Sequence, residues 1–144
     1  MPRVQIDYSN TIMYKLCCKD KNIKEVYIGS TTNIIKRRSE HKANCKNEKR
    51  KEHNNKKYKF IRENGGWENW SMIMIEKYPC DNGEERRMRE EQIRLEHHNN
   101  LNIRRAYQTE EDRIEDNREY MREYYHTNKD KLNEECFLSI QRFF

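Results

Sequence analysis

Tyr27-Ile28-Gly29-Ser30-Thr31-Thr32-Asn33-Ile34-Ile35-Lys36-Arg37-Arg38-Ser39-Glu40-His41 is the stretch on which the reading of this chain turns. It opens with aromatic and β-branched strand formers and reaches a glycine. Ser30, Thr31, Thr32 and Asn33 all suit a helix N-cap, because their short polar side chains accept from free first-turn N–H groups. A helix over 34–45 follows. Upstream, residues 11–18 (Thr-Ile-Met-Tyr-Lys-Leu-Cys-Cys) read as another strand and the polar 19–22 as a turn, so that 11–18 and 25–30 make a hairpin. On the helix, Ile34, His41 and Cys45 fall on one line, since seven and eleven residues are nearly whole turns. Arg37 and Arg38 flank that line. An inward face carrying two arginines and a histidine is odd for a purely structural helix.

Further along, residues 44–57 are rich in lysine and asparagine and read as a loop or frayed helix. Residues 58–64 form a short helix stopped by Gly65-Gly66. Trp67 and Trp70, read as core residues, bracket the entry to 71–76 (Ser-Met-Ile-Met-Ile-Glu), a continuous apolar run that suits a central or well-covered strand. Residues 84–97 are helical by composition, with Met88 and Leu95 on one stripe and Ile93 off to one side. Glu91 borders that stripe, whereas Glu90 points to solvent. A carboxylate against the core has to be paired, protonated or bound to metal, because desolvating a lone charge is costly. Leu101-Asn102-Ile103 closes the body.

Composition narrows the class. In 144 residues, 38% are charged and 33% hydrophobic, which predicts one domain plus an appendage, with a small core under a polar shell. The chain shows neither an apolar run of membrane-spanning length nor a signal-peptide core near its first residues, so the expectation is an intracellular protein with no membrane association. The five cysteines, an odd number with no C-x-x-C pair, read as free thiols. The net charge of +5 is uneven: residues 36–57 carry +7, residues 11–105 carry +9, and residues 106–144 carry −4. A basic body suggests a polyanionic partner. In the tail, Ile114, Met121 and Tyr125 show helical spacing, with an interruption near Thr127-Asn128.

Strand, strand, helix, basic stretch, helix, strand, helix, carrying these residues, resembles the GIY-YIG nucleases. Tyr27-Ile28-Gly29 stands verbatim for the second half of the family name. Ile12-Met13-Tyr14 matches the first half in its tyrosine, with isoleucine in the place of glycine. Arg37 lies ten residues after Tyr27 and His41 four further on. Glu91 matches the family's metal-binding glutamate and Asn102 its closing asparagine. Some relatives carry a lysine shortly after the Y-I-G; here Thr31-Thr32 stand there, and Lys36 is the nearest lysine. The lysine-, asparagine- and tyrosine-rich texture is similar to that of family members from large DNA viruses.

The resemblance implies an α/β domain over 11–105, a small three-stranded, mainly antiparallel sheet flanked by helices. A leader, 1–10, precedes it, and a charged, helical or partly disordered tail, 106–144, follows. It implies a metal-dependent endonuclease acting on double-stranded or branched DNA. One Mg²⁺ or Mn²⁺ on Glu91 would act as Lewis acid, and Arg37 would stabilise the transition state. Tyr14 or Tyr27 would position or deprotonate water, and His41 would share proton transfer or bind phosphate. Gly29, Lys36, Arg38, Lys42, Lys46, Lys49, Arg50, Lys51 and Asn102 are the expected DNA contacts, and a protein partner through the tail is a further expectation. Read without the resemblance, Tyr14 and Tyr27 make a cross-strand aromatic pair, Arg37 and Glu91 a buried ion pair, His41 a satisfied core or surface histidine and Asn102 a turn or capping residue. A non-catalytic nucleic-acid-binding module with the same fold is the alternative to the enzyme.

Overall fold

A computed structural model describes residues 2–142 of the chain. It contains two compact units, one ending at Tyr107 and the other beginning at Gln108. In the first, β1 (Ile12–Cys18) and β2 (Val26–Thr31) form the expected hairpin, and β1 also pairs antiparallel with β3 (Trp70–Lys77). The sheet order is β2-β1-β3. The continuous apolar run of β3 is therefore an edge strand, not a central one, and Ile73, Met74 and Ile75 are exposed. A register shift opposite Met13 and Tyr14 interrupts its pairing with β1.

β1 is paired along both edges, and helices cover both of its faces. Successive strand residues point to opposite sides, yet Met13 and Tyr14 are both fully buried. Met13 packs with Ile28 and with Ile93 of α3 (Gly83–Glu96). Tyr14 and Leu16 pack on the other face with Cys45, Tyr58, Ile61, Trp67 and Trp70. Those residues belong to α1 (Ile34–Lys46), to α2 (Lys56–Glu63) and to the segment entering β3. Asn33 caps α1, its side chain accepting from the Lys36 N–H. The stretch read as a loop, 44–57, holds the end of α1, a 3-10 turn over Lys51–Asn54 and the start of α2.

The stripe expected on α3 is corrected by the structure. Met88 and Leu95 are 42% and 63% exposed, whereas Ile93, read as peripheral, is 1% exposed. Ile93 is the apolar anchor, and positions 86, 90 and 97 share its face at helical spacing. Glu90 is thus turned inward rather than to solvent.

Residues 99–102 run beside β2. Val26 and Asn100 form a parallel bridge, the Val26 N–H donates to Asn99 O (2.9 Å), and the Leu101 N–H donates to Val26 O (2.7 Å). The Asn102 amide then clamps Ile28 at both ends: Nδ2 donates to Ile28 O (2.8 Å), and Oδ1 accepts from Ile28 N–H (3.0 Å). The leader is structured too. Tyr8 O accepts from the N–H groups of Thr11 and Cys80, both at 3.2 Å.

The second unit is one helix, α4 (Glu110–Gln141), opened by a Thr109–Asp112 capping box and burying no residue. The expected break near Thr127-Asn128 does not occur. Without glycine or proline the propensity loss there is small, and ties such as Arg122 to Glu115 and the stacked Tyr120–Tyr124 pair run along the helix. Among the described residues, no helix is long and apolar enough to cross a membrane.

The Asn102 clamp gives a stability test. Asn102→Ala leaves a β2 donor and acceptor unpaired and should cost about 1–3 kcal/mol in urea unfolding. A loss below ~0.5 kcal/mol would show that the clamp does not hold β2.

Candidate active site

The site begins with a close approach. Tyr14 lies opposite Gly29 in the β1–β2 register. A Cβ on residue 29 would sit 2.5 Å from Tyr14 Oη and 2.6 Å from Cζ, so only glycine admits the phenol ring there. Ile12, where the motif has glycine, pairs regularly with Thr31 and Lys77, and among the described residues no non-glycine has positive φ. An isoleucine is therefore compatible with the placement of Tyr14. Gly29 acts here by accommodating Tyr14, a role distinct from the expected DNA contact.

Tyr14 Oη is held from two sides. Arg37 Nε donates to it at 3.1 Å, and His41 Nε2 lies 2.7 Å away. The other imidazole nitrogen, Nδ1, is 2.8 Å from Tyr58 Oη, which also accepts from Asn44 Nδ2 at 3.2 Å. Arg50 fixes the Asn44 amide by donating to Oδ1 at 3.2 Å. His41 is fully buried. Burial, together with the charges of Arg37 and Lys57, lowers its pKa to about 3, so the ring is neutral.

Proton accounting then constrains the chain. Arg37 and the Asn44 amide nitrogen can only donate. They feed the two tyrosine oxygens, and the neutral imidazole between them carries one hydrogen. It donates to one tyrosine and accepts from the other. One tyrosine hydrogen is left over for an acceptor outside the network.

Tyr27 stands in front of this network. Its ring centroid is 6.5 Å from that of Tyr14, a cross-strand aromatic pair set diagonally, since in register Tyr27 faces Leu16 and Tyr14 faces Gly29. Burial first, then the Glu90 carboxylate, raises the Tyr27 hydroxyl to about 12, against the pull of Arg37. Burial likewise pushes Tyr14 well above the usual tyrosine range. Tyr27, Ser30, Lys36, Arg37, Arg86 and Glu90 line a cleft of about 730 Å³, which Ile6 of the leader also borders. Ser30 donates to the Glu90 carboxyl, and burial raises the pKa of Glu90.

Glu91 is placed elsewhere and lines neither of the two clefts that Tyr27 borders. Arg94 binds it in bidentate fashion (2.9 and 2.5 Å) and the Ala106 N–H donates to Oε2 at 2.8 Å. Burial acts to raise its pKa, but these donors hold it below the usual carboxylate value. The Arg37–Glu91 pair that the sequence allowed does not form; Arg37 pairs with Glu40.

The basic residues divide. Lys36 lines the first cleft and Lys51 a second, while Arg50 is tied to Asn44 and Lys46 pairs with Glu68. Arg38, expected beside the inward stripe, is exposed, as are Lys42 and Lys49. Asn102 borders the second cleft, but its amide is committed to Ile28. Glu90, Arg86, Lys57 and Tyr58 were missed as site residues. For Glu90 and Arg86 the available signal was the Ile93-centred face of α3; Lys57 and Tyr58, on α2, gave none.

Two outcomes check this arrangement. Gly29→Ala should destabilise by about 1–3 kcal/mol, as overpacking does; a neutral substitution would contradict the Tyr14 contact. His41 has a depressed folded pKa, so its stabilisation is complete above the unfolded value near 6.5 and is lost as pH falls toward 3. This group alone should remove about 2 kcal/mol between pH 7 and pH 5. NMR of its ring should show no protonation step above pH 5, and a step near 6.5 would contradict the buried, neutral form.

The family model of the GIY-YIG catalytic domain matches residues 10–102, the span containing Tyr14, Tyr27, Arg37 and both candidate glutamates. No match is found among curated proteins or among solved structures. GIY-YIG domains are nuclease domains that act on DNA and generally use divalent metals, and this chain belongs to the GIY-YIG family.

Proposed function

We propose that the first unit is a divalent-metal-dependent endonuclease that hydrolyses DNA phosphodiester bonds, with Glu90 in the metal-binding role that the sequence assigned to Glu91. The observation that carries this reading is the convergence of Tyr27, Arg37 and Glu90 on one cleft, with Glu91 enclosed by Arg94 and the Ala106 N–H. The donor chemistry fits a hard cation. Glu90 offers a half-buried carboxylate beside the Ser30 hydroxyl, and among the described residues no three His, Cys, Asp or Glu side chains gather. Mg²⁺ and Mn²⁺ suit such a site, because they keep waters and complete their shell with substrate phosphate oxygens. Glu90 would hold one ion, which when bound supplies Lewis-acid stabilisation of the phosphoryl and leaving oxygens.

The remaining work falls to the chain's own residues. Arg37, permanently charged and fixed by Tyr14 and Glu40, faces the scissile phosphate and stabilises the charge that builds on it. Tyr27 orients the attacking water and takes its proton. The water oxygen bonds to phosphorus as its proton passes to the Tyr27 phenolate, the P–O3′ bond breaks, O3′ takes up a proton from solvent, and 5′-phosphate and 3′-hydroxyl ends result. At a raised pKa Tyr27 becomes an effective base only once positive charge nearby draws it down. Tyr14 and His41 sit behind Arg37 and position it. The lysine-rich face supplies sequence-independent, salt-sensitive affinity for the backbone.

Plasmid nicking in Mg²⁺ or Mn²⁺ tests the roles. Arg37→Ala and Glu90→Gln should each lower the rate by roughly 10²–10³-fold, whereas Glu91→Gln should retain nicking and lose stability. Full activity in Glu90→Gln with loss in Glu91→Gln would return the metal to Glu91. DNA binding without nicking by the unaltered protein would favour the non-catalytic module.

A further inference from the structure

The first cleft is not the whole site. A second, of about 560 Å³, is lined by Lys51, Lys57, Asn102 and Arg104 among others, and two residues, Tyr27 and Glu90, line both clefts. They form a saddle between the two. Each side holds a cation for which the described residues supply no hydrogen-bond acceptor: Lys57 on one, Arg86 on the other.

Lys57, next to Tyr58 at the start of α2, carries its ammonium 4.0 Å from the Tyr27 ring centroid and 5.0 Å from that of Tyr58. Arg86, on the Glu90 face of α3, has a buried Nε with no partner, and its guanidinium lies 5.7 Å from the Tyr8 ring centroid. Of the other cations nearby, Arg37 is engaged by Tyr14 and Glu40 and Arg50 by Asn44, whereas Lys36, Arg87, Lys51 and Arg104 line the clefts as exposed residues. Aromatic faces hold a cation in place but do not satisfy its N–H groups. A buried, unsatisfied donor is costly unless a ligand supplies the acceptor. The carboxylates on these walls do not fill that role: Glu40 binds Arg37, Glu52 accepts from Asn55, and Glu90 accepts from Ser30.

Resting on the phosphodiesterase reading of the saddle, we propose that one DNA strand crosses it, its scissile phosphate at Glu90 and its two neighbouring phosphates bound by Lys57 in one cleft and Arg86 in the other. Lys57 then provides, from α2, a cation beside Tyr27 in a chain with no lysine between Gly29 and Lys36. The unit recognised is a run of three consecutive phosphates, read through backbone charge rather than bases.

The experiment uses a tetranucleotide, whose three phosphates fix its register, and three analogues in which one phosphate is a neutral methylphosphonate. Each is titrated by NMR into the full chain with EDTA present. In the unaltered protein, neutralising either outer phosphate should weaken binding by roughly three- to tenfold. Lys57→Met should abolish the response to one outer phosphate and Arg86→Met the response to the other, with methionine keeping the unbranched apolar stem. Effects that multiply in every combination, outer phosphates whose neutralisation changes nothing, or no binding by the unaltered protein would each overturn the assignment. Because the probe is altered as well as the protein, a variant that fails to fold leaves the unaltered protein's responses to decide. Absent cleavage in Mg²⁺ would instead overturn the nuclease reading, and this binding pattern is read independently of it.

Discussion

The contact on which the site depends is the phenol of Tyr14 lying across the bare backbone of Gly29. That approach sets where Oη lies, and Oη accepts from Arg37 and meets His41. From His41 the order passes through Tyr58 and Asn44 to Arg50, so residues of β1, β2, α1 and α2 answer to one hydroxyl. The same interaction explains why α1 turns an arginine and a histidine inward. They are the hydrogen-bonding partners of a buried tyrosine, and replacing either with an apolar residue would leave that hydroxyl short of a partner.

The domain draws Tyr14, Tyr27, Arg37 and His41 from the sheet face that carries the larger core, and brings Glu90 and Arg86 to them from α3, which packs on the other face. Met13, Ile28 and Ile93 fill the other face and anchor α3. Anchoring by Ile93 rather than by Met88 and Leu95 turns Glu90 and Arg86 toward Tyr27 and Arg37. Residues 99–102, zipped along β2 and clamped at Ile28, then close the second cleft beside Tyr27.

Much of this was legible in the residues. The hairpin, the capped helix with Arg37 and His41, the buried tryptophans and the order of elements all follow from strand formers, cap residues and glycine stops. What the sequence hid has physical reasons. The inward face of α3 is polar because it lines a cleft, so its few apolar residues define a misleading stripe, and adjacent glutamates exchange roles over a rotation of ~100°. The apolar run of β3 suggested full cover, but an edge strand pairs on one side only, and its Ile73–Ile75 segment is open. Lys57 looked like one more lysine in a basic run. Only the fold brings it over Tyr27, from an element thirty residues downstream.

The central claim is that Glu90, not Glu91, faces the reaction beside Tyr27 and Arg37. The most direct measurement is a crystal structure grown with Mn²⁺, in which anomalous scattering locates the ion. The account predicts an ion on the Glu90 carboxylate, within the cleft shared with Tyr27, and Glu91 still bound to Arg94. An ion on Glu91, with the Arg94 pair broken and Glu90 turned away, would contradict it.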